Sequence, residues 1–312
     1  MNRQWLTAGA AGAASAVLFL SVTAGTLLAV VLTFLSPLPL FLAGLGLGWR
    51  IAAIAAAAAT VVIGIAAGPL MAVNYLGVYG LTVTWLSRQA LLSRTGPNGL
   101  EWYPPGYLLA WLSGLGALYL VVIMAFFAGI EGGLQGQAER GYLELVKNLT
   151  GGRLTDDMRL MAAEMAKWVG GIMVGTWMSM VTVNGILAQR LLARSARNLR
   201  PTPTLADVVL PTGLAVALGA ALLATLLPDP VGSFGRAMTV ALALPFVIQG
   251  LAVIHVLSRG WPARGPLLAV FYILVFAFFW LGLVAVAGIG LVEQWVQMRG
   301  RVTGADDGEE DE

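Results

Sequence analysis

From Gln4 to Trp49 the chain carries no charged side chain, and apolar positions follow one another almost without a break. One bilayer crossing takes about 20 residues, so this pattern predicts two spans back to back, the first over about Leu6 to Leu27. The second must pass through Pro37 and Pro39, each lacking the backbone donor that a continuous helix uses. It is therefore predicted to be broken and to face protein or a wet cavity, because unpaired backbone groups are not tolerated against lipid. Two readings of the break stay open. A broken helix lined by Gly44 and Gly48 marks binding sites in transporters, and a kinked helix whose glycines admit close neighbours is ordinary packing.

The pattern continues in the same style. A third span runs from Arg50 to Ala67 and stops at Gly68-Pro69, and a fourth covers Met71 to Ser87. A turn-rich stretch, Thr95-Gly-Pro-Asn-Gly to Tyr103-Pro-Pro-Gly, leads to a fifth span over about Tyr107 to Ala128. The segment 130–164 is the one sizeable extramembrane piece. Glu131, Glu139, Glu144, Asp156, Asp157 and Glu164 there outnumber Arg140, Lys147, Arg153 and Arg159. Thr155 followed by two aspartates is a helix start, a capping hydroxyl with acids at the positive end of the dipole. A helix unbroken from there to Arg190 would be about 50 Å long. Its membrane half carries Gly171 and Gly175, expected to pack against span one or three. Three further spans are predicted over about Leu205–Leu227, Ala237–Leu257 and Pro266–Val292. The fold class is thus all-α, a polytopic bundle of eight or nine spans.

Composition agrees with the pattern: 58% hydrophobic and 11% charged residues, where a soluble globule holds about a quarter charged. The net charge of +2 comes from short basic loops, which speak to topology and imply no nucleic-acid partner. Placing Arg3, Arg50, Arg88, Arg94, the cluster Arg190 to Arg200, Arg259 and Arg264 inside puts the N-terminus in the cytoplasm and the acidic segment outside. The side of the C-terminal end stays open, since Arg299 and Arg301 pull against a nine-span count. Ala305 to Glu312 holds six acids and is expected to be disordered.

Candidate chemistry is sparse. There is no cysteine, which excludes disulfides, thiolate nucleophiles and Cys-ligated metals. No HExxH, P-loop or nucleophile elbow occurs, so no catalytic residue, metal site or cofactor is expected and the chain is read as a non-enzyme. Asn74, just past the third-to-fourth turn, is the leading candidate for a substrate contact. Asn184 and Gln249 sit deepest in their spans, either as interhelical links or as lining of a site. His255, the one histidine, is either a proton or ligand group or an interfacial side chain with a backbone partner.

The Pro37-Leu-Pro39 pair, the Gly48-Trp-Arg50 turn and the stretch Gln249-Gly-Leu-Ala-Val-Ile-His255, with its basic loop and closing apolar run, resemble the YybS-like membrane proteins. This bacterial family has no assigned function, and the resemblance covers essentially the whole chain. The first six spans of that family are similar to the substrate-capturing S components of energy-coupling-factor transporters. The resemblance implies a bacterial cytoplasmic-membrane protein with a six-span capture core over 1–195, three added spans over 196–295 and an acidic tail over 296–312. The partners expected are the lipid bilayer, a small-molecule substrate and a membrane-protein partner. The competing expectation is a non-enzymatic scaffold of the cell envelope.

Overall fold

The computed structural model describes residues 2–97 and 99–300, and from residue 301 the expected acidic tail lies outside the described residues. Helix α1 (Asn2–Leu20) passes through a 3-10 turn, Ser21–Ala24, into α2 (Leu27–Phe34) and α3 (Pro37–Leu47). Then come α4 (Trp49–Ala67), α5 (Pro69–Tyr75), a π-helical turn at Leu76–Gly80, and α6 (Leu81–Ala90). A hairpin of β1 (Ser93–Gly96) and β2 (Gly99–Trp102) precedes α7 (Pro105–Phe127), α8 (Gly133–Leu149), α9 (Asp156–Ala166) and α10 (Val169–Arg194). A 3-10 turn at Leu205–Asp207 leads to α11 (Gly213–Ala224), α12 (Val231–Leu257), α13 (Arg264–Ala277) and α14 (Phe279–Val296). Among the described residues, seven helical stretches are long and apolar enough to cross a membrane. The all-α class holds, with one small hairpin added to it.

The chain divides into two compact units, one of residues up to Leu112 with Trp177–Thr204, the other of Ser113–Thr176 with the residues from Leu205 onward. In the first, α1 lies on α4 through small residues. Ala8 and Ala16 are fully buried, and a Cβ at Gly12 would stand 2.4 Å from Ala55 O. Ala52, Ala55, Ala56 and Ala59 form the answering face of α4, so two helices with small residues at their facing positions gain contact by close approach. Gly48 and Gly68, at φ 105° and 90°, make the two corners that a residue with a Cβ enters only under strain. Proline follows at the first turn of α5, where its missing donor costs nothing. In the hairpin, Arg94 faces Glu101 and pairs with it at 2.7 Å.

The second unit is built on α12. Gly235 admits the backbone of α11 (a Cβ would be 2.7 Å from Ala224 C and Thr225 N), while Gly250 and Gly290 bring α12 and α14 into backbone contact. Two expectations are corrected here. The helix beginning at Thr155 is capped as expected, the hydroxyl accepting from Met158 N at 3.3 Å, but it does not run on to Arg190. It stops at Ala166, where Trp168 N turns back to Met165 O, and α10 starts afresh at Val169. Gly171 and Gly175 of α10 then pack on α12 and on neither span one nor span three. A Cβ at Gly171 would lie 2.9 Å from Val240 Cγ2, and one at Gly175 would lie 3.2 Å from Val240 Cγ1.

The seventh span is helical only from Gly213. Pro211 supplies no donor, and Leu210 N with the carbonyls of Ala206, Val208 and Leu210 is met by side chains from α12, α14 and the turn after it. The last apolar run is two helices joined at Phe278, whose φ and ψ of −107° and 43° leave the helical region. The joint closes because Gly282 has no side chain, and a Cβ there would meet Val275 Cα at 2.9 Å.

Candidate binding site

The break at Pro37 frees one carbonyl in particular. Leu38 N donates to Leu35 O, and Pro37 has no N–H, so Phe34 O has neither its four-residue nor its three-residue helical donor. Asn184, fully buried on α10, fills the gap by donating Nδ2 to Phe34 O at 2.8 Å and to Met180 O at 2.8 Å. Next to it, Ser15 Oγ donates to Ser36 O at 2.6 Å and bonds to the Tyr75 hydroxyl. A serine has one proton, so Tyr75 is the donor of that second bond. Phe19 and Tyr79 stand around the Tyr75 ring at 5.1 and 5.7 Å. At the π turn, Trp177 Nε1 donates to Val78 O at 3.1 Å. At the Pro37 break and at the π turn alike, a side chain from another helix takes a carbonyl.

Replacing Asn184 with leucine, similar in volume, leaves Phe34 O unmet. The expected cost is about 1–2 kcal/mol, above the ~0.6 typical of an interhelical membrane bond, because this acceptor has no helical alternative. Unfolding by SDS titration measures it, with Thr182→Ala, which loses only a bond to its own helix at Met178 O, expected to be near neutral.

Of the other expected residues, Pro37 and Gly44 are buried in packing, Pro39 and Gly48 are half-buried, and Asn74 is exposed. In the second unit Gln249, 1% exposed, accepts from Leu210 N at 3.1 Å and from Gln294, and donates to Gly290 O at 3.0 Å. It is an interhelical link with every polar atom engaged. His255 donates from Nδ1 to Leu251 O at 2.9 Å, one turn back on α12, with Tyr272 OH 3.4 Å from Nε2. An ion pair that the sequence reading passed over completes this region. Glu293, 5% exposed, accepts from Arg299 Nε at 2.8 Å and from Met298 N, while the guanidinium also donates to Ala206 O and Val208 O. The legible signal was an acid at the end of an apolar run with an arginine six residues later.

The open space lies elsewhere in the second unit. A pocket of about 650 Å³ is bounded by the C-terminal part of α7 and by the starts of α8, α10 and α12, and none of Pro37, Gly44, Gly48 or Asn74 belongs to it. Its walls are apolar: Leu120, Val121 and Met124 from α7, and Val231, Phe234 and Ala237 from α12. Polar groups are few. Lys167 stands at the joint between α9 and α10 and pairs with exposed Glu164, and Asp229 is held by Arg236 at 2.8 Å. Ser233 Oγ is spent on Pro230 O, whereas Gln135 Nε2 is buried with no hydrogen-bond partner among the described residues. An apolar cavity of this size with a few polar groups is the usual form of a small-molecule site.

Compared with known families, residues 13–293 match the family model described as "Predicted membrane protein (DUF2232)". No curated protein and no solved structure matches the chain.

Proposed function

The chain belongs to the DUF2232 family of predicted membrane proteins, and on that premise we propose that it captures a small, partly apolar molecule in the pocket between α7, α8, α10 and α12. The observation that carries this reading is the pocket itself, large enough for a drug-sized ligand and apolar apart from a few polar groups. The proposal includes no chemical step on the captured molecule and no nucleotide hydrolysis. The setting proposed is the bacterial cytoplasmic membrane with the N-terminus inside. The basic cluster from Arg190 to Arg200 then holds the end of α10 in the cytoplasm.

One observation favours a docking role instead. Helices α8 and α9 pack on each other, α8 has no buried residue, and Leu145, Leu149, Leu160 and Met161 are exposed. Native mass spectrometry of the detergent-purified protein separates the two. Capture expects a bound small molecule whose occupancy falls about tenfold, the equivalent of ~1.4 kcal/mol, in Ala125→Trp, where an indole enters the pocket from an exposed position on α7. Ala66→Trp, on an exposed part of α4, is expected to leave occupancy unchanged. A stoichiometric protein partner with no small molecule would sink capture and favour docking.

A further inference from the structure

We infer that the ligand of this pocket is an amphiphile with an anionic head, a phosphate or carboxylate group on an aliphatic chain. This rests on the capture reading and adds the chemical class to it. Apart from Ser233, whose hydroxyl is spent on Pro230 O, the walls from α7 and α12 offer an aliphatic chain Leu, Val, Met, Phe and Ala contacts. The groups able to meet a polar head are donors. Gln135 Nε2 is a buried amide with no acceptor among the described residues, and a donor left unmet in an apolar setting is costly enough to call for one. Lys167 carries three protons, and its exposed pair with Glu164 leaves donors for a ligand.

The surrounding charge points the same way. Asp229, the one carboxylate among the lining residues, is neutralised by Arg236. Helices α8, α10 and α12, of 17, 26 and 27 residues, all begin at the pocket and turn their positive dipole ends toward it. A cationic head would oppose these dipole ends and find no unpaired carboxylate among the lining residues, and an uncharged head would gain nothing from the dipole ends, whereas an anionic one can accept from the Lys167 protons that Glu164 leaves free. The head belongs beside Lys167 and Gln135, and the chain runs along Leu120, Met124 and Phe234.

Full-length protein in neutral detergent is titrated with dioleoyl phosphatidate, oleate, dioleoyl phosphatidylcholine and inorganic phosphate, and adducts are counted by native mass spectrometry. Phosphatidate and oleate are expected to bind about tenfold more tightly than phosphatidylcholine, the scale of one or two charge-assisted hydrogen bonds. Lys167→Gln and Gln135→Leu should each remove most of that preference while leaving phosphatidylcholine binding as it was. Arg159→Gln, an exposed cation on α9, should leave the preference intact. Equal binding of anionic and zwitterionic lipids, or an equal loss in Arg159→Gln, overturns the anionic head but not capture. Inorganic phosphate binding as tightly as phosphatidate overturns the aliphatic chain. Capture itself falls if Ala125→Trp changes the binding of no probe.

Discussion

Gly290→Val is expected to cost about 3 kcal/mol or more, the upper range for overpacking, and to abolish accumulation of folded protein. A Cβ at this position would stand 2.0 Å from Phe246 O and 2.8 Å from Gly250 N, and both are backbone atoms that no rotamer change can move. Gly250 mirrors it, with a Cβ there 2.0 Å from Val286 O. Separating α12 from α14 also stretches the Gln249 bond to Gly290 O, which is 3.0 Å as it stands. Gly288→Val is the matched control. The same helix receives the same substitution where nothing lies within 4 Å, so its cost should be limited to helix propensity, well under 1 kcal/mol in magnitude. SDS-titration unfolding and the monodisperse yield on size exclusion measure both. Similar values for the two variants would show that the close crossing of α12 and α14 is not what stabilises this unit.

Arg299→Ala is the second large effect, about 3–5 kcal/mol, because it leaves Glu293 buried without a counter-charge. The side chains of the pair are 11% and 5% exposed, so water screens them little. The same substitution unpairs Ala206 O and Val208 O. The double variant Glu293→Gln, Arg299→Met should lose less than Arg299→Ala alone, since no unpaired charge remains and a glutamine oxygen still accepts from Met298 N. The same unfolding titration distinguishes these cases. A double variant as unstable as Arg299→Ala would mean that the carbonyl contacts, and not the charge pair, supply the stability.

What the sequence made legible follows the range of each signal. Prolines and glycines act on their own backbone, so the break at Pro37 and the corners at Gly48 and Gly68 could be placed from the chain alone. Thr155 with Asp156 and Asp157 is equally local, and the cap is where it was expected. The partners were not legible. Asn184 meets Phe34 from 150 residues away, and a small-residue stripe such as Gly171 and Gly175 fits any apolar helix, so its true neighbour Val240 could not be chosen over span one or three. The joint at Phe278 left no mark because the run around it is apolar throughout and offers no contrast of faces. The pocket was hidden for a related reason. Its lining comes from four helices and the joints beside them, and in sequence Gln135 falls in the acidic extramembrane segment while Lys167 falls inside the helix expected to run on from Thr155.

The irregular stretch before α11 also sets an order of events during synthesis. Its amide at Leu210 is met by Gln249, 39 residues downstream, and its carbonyls at 210, 208 and 206 by Gln294 and Arg299, up to 93 residues downstream. Until those residues leave the ribosome, the segment has peptide groups that neither a helix nor a lipid tail can satisfy. A nascent chain must therefore keep it at a watery boundary or inside the insertion machinery, and its final seat is completed only after α14 has entered. Within the first unit, by contrast, the bonds to Phe34 O and Val78 O wait only for Asn184 and Trp177, which are made before that segment.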